Sequence, residues 1–242
     1  SNGPRLILWV DTFNNHFHPE VARAAVRALE AIGYRVDLSP AGLCCGRPLY
    51  DFGFLDVARR RLAAIVDAMR PDIHAGVPVV GLEPSCLAVF RDELPNLLVG
   101  DEDARRLRLQ TRTLAELVDA GPLAATLPQI ARSALVHGHC HHKAVLGFTR
   151  DRKLLERLGL ALDVLDAGCC GMAGAFGFEA AHYDVSLRAG ERVLLPAVRR
   201  AADDALVIAD GFSCRTQIEQ TTGRRALHLA QVLELSLCPP AP

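Results

Sequence analysis

The chain has 242 residues, half of them hydrophobic, with 27 Lys and Arg against 28 Asp and Glu and a net charge of −1. That balance excludes a surface built on charge for nucleic acid or an anionic membrane, and the apolar content excludes a disordered chain. No apolar run reaches the roughly 18 residues a membrane span needs, and the length admits one large domain or two of about 120 residues.

In chain order, apolar strands alternate with amphipathic helices. Residues 6–10 read as a buried strand. A helix follows, with Pro19 in its first turn, Val21, Ala25, Ala28, Leu29 and Ile32 along one face, and Gly33 as its stop. Residues 34–38 alternate as a strand, Leu55, Ala58, Leu62, Ile65, Val66 and Met69 mark one face of the next helix, and 77–82 is a strand. Residues 93–130, rich in Leu, Arg and Asp, read as helices joining two halves. The order then repeats: a strand at 134–137, a helix ending at Leu158, a strand at 162–166, a helix from about Glu179 and a strand at 206–209. Alternating strands and helices imply parallel sheets covered by helices. The expected fold is α/β, in two tandem similar lobes, 1–125 and 126–242, related by a pseudo-twofold. Ser1-Asn2-Gly3 reads as the remnant of a removed tag.

The repeat also shows in the cysteines. Cys44-Cys45-Gly46 and Cys169-Cys170-Gly171 each run on to a Ser-Cys pair, Ser85-Cys86 and Ser213-Cys214. Cys45 lies 41 positions before Cys86, and Cys170 lies 44 before Cys214. Gly33 precedes Cys44 by 11 positions and Gly159 precedes Cys169 by 10. Nineteen residues back from Gly159 is Cys140, and the same count back from Gly33 reaches Asn14. The chain therefore reads as a duplication with Cys140, Cys169, Cys170 and Cys214 in the second half and Cys44, Cys45 and Cys86 in the first.

Each of these cysteines is expected just after a strand and at or near a helix start. Parallel sheets gather their sites at the carboxyl ends of strands, and helix N-termini favour thiolate over thiol. The cysteines of each half should thus converge on one edge of its sheet. Four convergent thiolates fit an iron–sulfur cluster or a tetrahedral zinc ion. Structural zinc sites commonly use C-x2-C knuckles, absent here, and adjacent cysteines suit a multi-iron cluster better than one small ion. Eight cysteines without a visible secretion signal point to a reducing compartment: cytoplasmic, or peripheral at the inner face of a membrane. Adjacent cysteines are also poor disulfide partners for one another.

Other residues carry weaker signals. His137, His139, His141 and His142 crowd Cys140 and read either as ligands, donors to ligands or a proton relay, or as loop histidines at a helix start. Gly171-x-x-Gly174-x-x-Gly177 reads as a place where backbone closely approaches a cluster. Asp11, Glu83 and Asp210 read first as helix caps, and Cys238 as a bystander. No G-x-G-x-x-G follows the first strand and no flavin-binding segment is visible. No catalytic residue is assigned.

Cys-x(n)-Cys-Cys-Gly-x(n)-Cys, present twice, resembles the cysteine-rich CCG domain found in heterodisulfide reductase, the iron–sulfur subunit of glycolate oxidase, lactate-utilisation proteins and FAD-linked oxidases fused to iron–sulfur modules. The segments 9–15, 81–86, 137–141, 168–177 and 209–215 are most similar to the last group. The resemblance implies a [4Fe-4S] cluster, with zinc as the alternative. Its ligands would be Cys140, Cys169, Cys170 and Cys214 in the second half. Cys44, Cys45 and Cys86 in the first half would need a fourth donor such as His16, or form a degenerate site. It further implies an oxidoreductase part that is inactive alone and takes electrons from FAD on a separate domain or chain. That FAD-binding dehydrogenase partner would oxidise a 2-hydroxy acid of the glycolate, D-lactate or D-2-hydroxyglutarate type, with a quinone or carrier as acceptor. A zinc-stabilised interaction domain is the competing function; a thiol oxidoreductase is weakened by the lack of C-x-x-C. The family's long form ends in C-x-x-C, where this chain has Val89 and Gln217.

Overall fold

The computed structural model describes residues 3–121 and 127–238. The expected boundary at 125/126 lies outside these residues, as do Ser1 and Asn2. The chain divides into two compact units, Ser1–Thr126 and Leu127–Pro242.

In the first unit, β1 (Arg5–Trp9), β2 (Arg35–Leu38), β3 (Val79–Gly81) and β4 (Thr111–Arg112) form a parallel sheet in the order β2-β1-β3-β4. In the second, β5 (Ser133–Val136), β6 (Ala161–Val164) and β7 (Leu206–Ile208) pair in parallel in the order β6-β5-β7. Leu227 bridges Ile208 in parallel, so this sheet starts to extend where β4 extends the first. Both lobes are thus helix-flanked parallel sheets with the same strand order, as the repeat predicts.

Burial follows the apolar pattern. Leu6, Ile7, Leu8 and Trp9 of β1 are all buried. Helix Pro19–Ala31 buries Val21, Ala24, Ala25, Ala28 and Leu29, and helix Leu55–His74 buries Leu62, Ile65, Val66 and Met69. Each buried Val, Leu, Ile or Met side chain among these contributes about 1.5–3 kcal/mol. Trp9 meets Phe90 edge to face at 4.7 Å. The buried thiols belong to these cores: Cys45 and Cys86 pack with Trp9 and Phe90, Cys170 and Cys214 with Leu194, Leu195 and Ile218.

Two expectations need correction. Residues 102–119 are not a connector between halves. Helix Glu102–Gln110, β4 and helix Leu114–Asp119 all lie in the first unit, and β4 adds a strand to its sheet. The helix expected from Glu179 instead starts at Tyr183 and ends at Gly190, after a 3-10 turn at Phe176–Phe178, and a separate helix Leu194–Arg200 follows. Among the described residues, no helix is long and apolar enough to cross a membrane.

Candidate metal centre

The strand order positions the site. The chain leaves β1 toward β2 but leaves β3 toward β4, so the loops part between β1 and β3, and likewise between β5 and β7. Parallel sheets open a crevice at the carboxyl ends of such strand pairs.

In the first lobe, Asp11 caps helix Thr12–His16: its two carboxylate oxygens accept from the Asn14 backbone N–H at 2.9 Å and from Asn14 Nδ2 at 2.8 Å. Glu83 caps helix Pro84–Ala88 and accepts from Ser85 Oγ at 2.8 Å. The cap reading of both acids holds. Cys86 sits in that helix, and Cys44 and Cys45 sit in the loop ahead of helix Arg47–Asp51. Cys45 Sγ and Cys86 Sγ are 3.0 Å apart and buried. The bond to Cys45 lowers the Cys86 thiol, but burial and the carboxylates of Asp11 and Glu83 outweigh it and push the thiol up. The Cys44 thiol is also pushed up, by its bond to Cys45 and by burial, against the Gly46 N–H and the Thr12 hydroxyl. Asn14, at the position of Cys140, is buried and locked by Asp11. His16, the fourth donor considered for this lobe, is exposed, with Nε2 3.2 Å from Asn15 Nδ2. The first lobe thus gathers three thiols, and Val89 packs into the core beside them.

In the second lobe, Cys140 opens a helical turn after β5 and Cys214 lies in the first turn of helix Phe212–Thr222. Cys169 and Cys170 lie in a loop, not at the expected helix start. The four thiols shift one another's titration in series, Cys140 with Cys169, Cys169 with Cys170, and Cys170 with Cys214. All are free thiols; Cys170 and Cys214 are buried and Cys169 is exposed. The Gly171 N–H donates to Cys169 Sγ at 3.3 Å. Bonds from Cys140 and Cys170, with this N–H, outweigh burial and hold the Cys169 thiol well below its ordinary value. Cys140 is pushed up by the same bond to Cys169 and by burial. At Cys214, the bond to Cys170 and the imidazoles of His137 and His139 overcome burial and favour thiolate. Counted through the repeat, His137 stands where the first lobe has Asp11. One lobe therefore surrounds its thiols with carboxylates and the other with imidazoles.

Glycine makes two of these placements. At Gly211 a Cβ would lie 2.2 Å from His139 Cδ2, so only glycine lets that ring pass. Gly171 has φ +98, and a Cβ there would lie 2.0 Å from the Ser186 carbonyl oxygen. The Gly171 backbone therefore closely approaches helix Tyr183–Gly190, while its N–H is directed at Cys169 Sγ. Gln217 secures that helix from the other side, its Nε2 donating to Ser186 O at 3.2 Å and Oγ at 3.3 Å. His141 stacks on His139 at 5.4 Å, and its Nδ1 is 4.0 Å from Cys140 Sγ. Asp151 and His228, which no motif singles out, lie buried against His142 and Asp210. Cys238 is exposed at the end of helix Leu229–Leu237.

Soft thiolate donors, N–H groups aimed at sulfur and neighbouring imidazoles fit a thiolate-ligated iron–sulfur cluster or zinc ion in the second lobe. The first lobe offers one thiol fewer.

Residues 11–91 and 135–219 match the family model for the CCG cysteine-rich domain. The chain is 32% identical over 229 residues to one of the subunits that make up the anaerobic glycerol-3-phosphate dehydrogenase of Escherichia coli K12, covering 93% of this chain and 57% of that protein. It is 29% identical over 230 residues to D-2-hydroxyglutarate dehydrogenase of Pseudomonas putida, covering 94% and 22%. It is 27% identical over 246 residues to lactate utilization protein A of Bacillus subtilis, covering 95% and 98%. The chain thus spans about half the length of the first relative and about a fifth of the second. Each matched segment holds one Cys-Cys-Gly triplet and its Ser-Cys pair, and together they cover most of the chain, which belongs to the CCG cysteine-rich domain family.

Proposed function

We propose that this chain is the iron–sulfur electron-transfer part of a flavin-linked dehydrogenase, taking electrons from FAD on another domain or chain and passing them to a quinone or carrier. The observation that carries this reading is the convergence of Cys140, Cys169, Cys170 and Cys214 on the carboxyl edge of one parallel sheet, with imidazoles beside the buried end. Family membership supports it, as do relatives named for the oxidation of glycerol 3-phosphate and D-2-hydroxyglutarate and for the use of lactate. Those names share an oxidisable hydroxyl-bearing carbon, and a 2-hydroxy acid is the proposed substrate of the flavin partner. The proposed setting is cytoplasmic, or peripheral at the inner face of a membrane.

The four second-lobe cysteines would hold the cluster, which when bound would supply one-electron transfer. The protein residues do the rest. The Gly171 N–H and the histidines beside Cys214 stabilise negative charge on sulfur. Cys170 and Cys214, buried at 3% and 2% exposure, keep water from the inner side of the site. Exposed Cys169 leaves the other side open to a partner. The first lobe, with Cys44, Cys45 and Cys86 among carboxylates, is the weaker metal site.

The reading is tested by restoring a flavin partner to the full chain. Cys140→Ser and Cys214→Ser should stop reduction of an external acceptor while substrate still bleaches the flavin. Without the partner, the chain should show no dehydrogenase turnover. Acceptor reduction that survives both substitutions would favour a zinc-stabilised interaction domain instead.

A further inference from the structure

The second lobe carries another donor group, built without cysteine. His142 follows the turn that begins at Cys140, Asp151 lies in helix Thr149–Arg157, and Asp210 follows β7. His142 Nε2 and Asp151 Oδ2 are 2.9 Å apart. One ligand atom from each of the three residues lies within 4.8 Å of the other two. His142 and Asp151 are 3% and 2% exposed, and the Asp210 side chain is 11% exposed.

Asp151 and Asp210 line a cavity of about 10 Å³, space for roughly one water-sized particle. His137 lines the same cavity, is 3% exposed, and interacts with the Cys214 sulfur. One buried and one half-buried carboxylate lining a space that small are costly unless something polar or cationic lies between them. His228 Nε2 approaches Asp210 Oδ1 at 3.6 Å, and that oxygen accepts the Leu229 N–H at 2.8 Å. Asp210 is therefore held in place from the side of helix Leu229–Leu237.

The first lobe serves as an internal comparison. The count that pairs Cys140 with Asn14 pairs His142 with His16 and Asp151 with Ala25. Aligning the two Ser-Cys pairs sets Asp210 against Leu82. Two donors become apolar residues and the third is exposed. The group is thus no part of the repeated cysteine unit.

We propose that His142, Asp151 and Asp210 bind one divalent transition-metal ion, zinc or ferrous iron, at a site separate from the cysteines. Imidazole nitrogen and carboxylate oxygen are both donors that such ions take. The ion would tie the segments after β5 and β7, which carry Cys140 and Cys214, to helix Thr149–Arg157. It does not depend on what the cysteines hold.

The test uses the full chain with Cys140, Cys169, Cys170 and Cys214 all changed to Ser, its folding checked by far-UV circular dichroism. Dialysed against Zn²⁺, it should retain one equivalent more than the same chain carrying Asp151→Asn, whose binding should weaken roughly tenfold or more. Loaded with Co²⁺, it should show a visible d–d component without thiolate charge transfer, which Asp151→Asn should remove while leaving any thiolate bands of the first-lobe cysteines in place. If the four-serine chain does not fold, the cysteine-containing chain loaded with Co²⁺ should show the same Asp151-dependent, non-thiolate component. A folded four-serine chain that retains no metal, or metal and Co²⁺ bands unchanged by Asp151→Asn, overturns the site and leaves a buried His–Asp ion pair.

Discussion

Val89 and Gln217 hold the same place in the repeat, three residues after Cys86 and Cys214, yet they do different work. Val89 fills the first-lobe core. Gln217, 1% exposed, satisfies Ser186, whose carbonyl presses on Gly171 beside Cys170. Gln217→Ala would leave that buried carbonyl without its side-chain donor, at a cost of about 1–3 kcal/mol. Urea unfolding should show that loss, and the loosened Cys169–Cys170 loop should retain less metal. Val89→Ala should cost stability through a core cavity, about 1–3 kcal/mol, without any hydrogen bond being lost. The departure from C-x-x-C is plain in the sequence. What replaces the missing cysteine is not, because the Ser186 contact joins residues 31 positions apart.

At the scale of elements, local pattern and local chemistry made most strands and helices legible. β1 is apolar without a break from Leu6 to Trp9, and the buried face of helix Leu55–His74 follows its 3.6-residue period. β4 is two residues, one of them exposed, and exists because Val79 and Val80 offer it a sheet edge; no periodicity can announce it. The next helix is anchored by chemistry that is local. Thr113 and Glu116 form a reciprocal capping box, and Arg91 Nη1 donates to Glu116 Oε1 at 3.0 Å. Burial raises the Glu116 carboxyl, but Arg91, the Thr113 N–H and Arg112 outweigh it and hold the carboxyl below its ordinary value. A carboxylate depressed on folding contributes stability that is present above its unfolded value, about 4.3, and lost as pH falls through the folded value. Glu116→Gln should therefore destabilise the chain at pH 7 by about 1–2 kcal/mol, and the gap between it and the parent should shrink as the pH is lowered below 4. A gap that stays constant across that range would assign the effect to packing. Thr113→Ala should cost about 1 kcal/mol with no such pH dependence.

For the whole molecule, duplication was legible and the asymmetry between its copies only partly so. Counting cysteines showed four against three. It did not show that Asp11 and Glu83 raise the Cys86 thiol while His137 and His139 lower that of Cys214. Those contacts come from loops that meet only at the carboxyl ends of a folded sheet. Asp151 stayed hidden for the same reason, as one acid among the charges of helix Thr149–Arg157 that turns inward. The asymmetry predicts that Cys170→Ser removes most of the bound metal and Cys45→Ser removes less, as read by metal analysis of the purified chains; equal losses would place equivalent sites in both lobes. The account as a whole rests on an iron–sulfur centre in the second lobe. The most direct test is iron and acid-labile sulfide content, with the electron paramagnetic resonance spectrum after dithionite reduction, for the full chain isolated anaerobically alongside Cys214→Ser. The account predicts matching iron and sulfide and a reducible signal, both lost in Cys214→Ser. Stoichiometric zinc without labile sulfide, or iron and sulfide unchanged in Cys214→Ser, would contradict it.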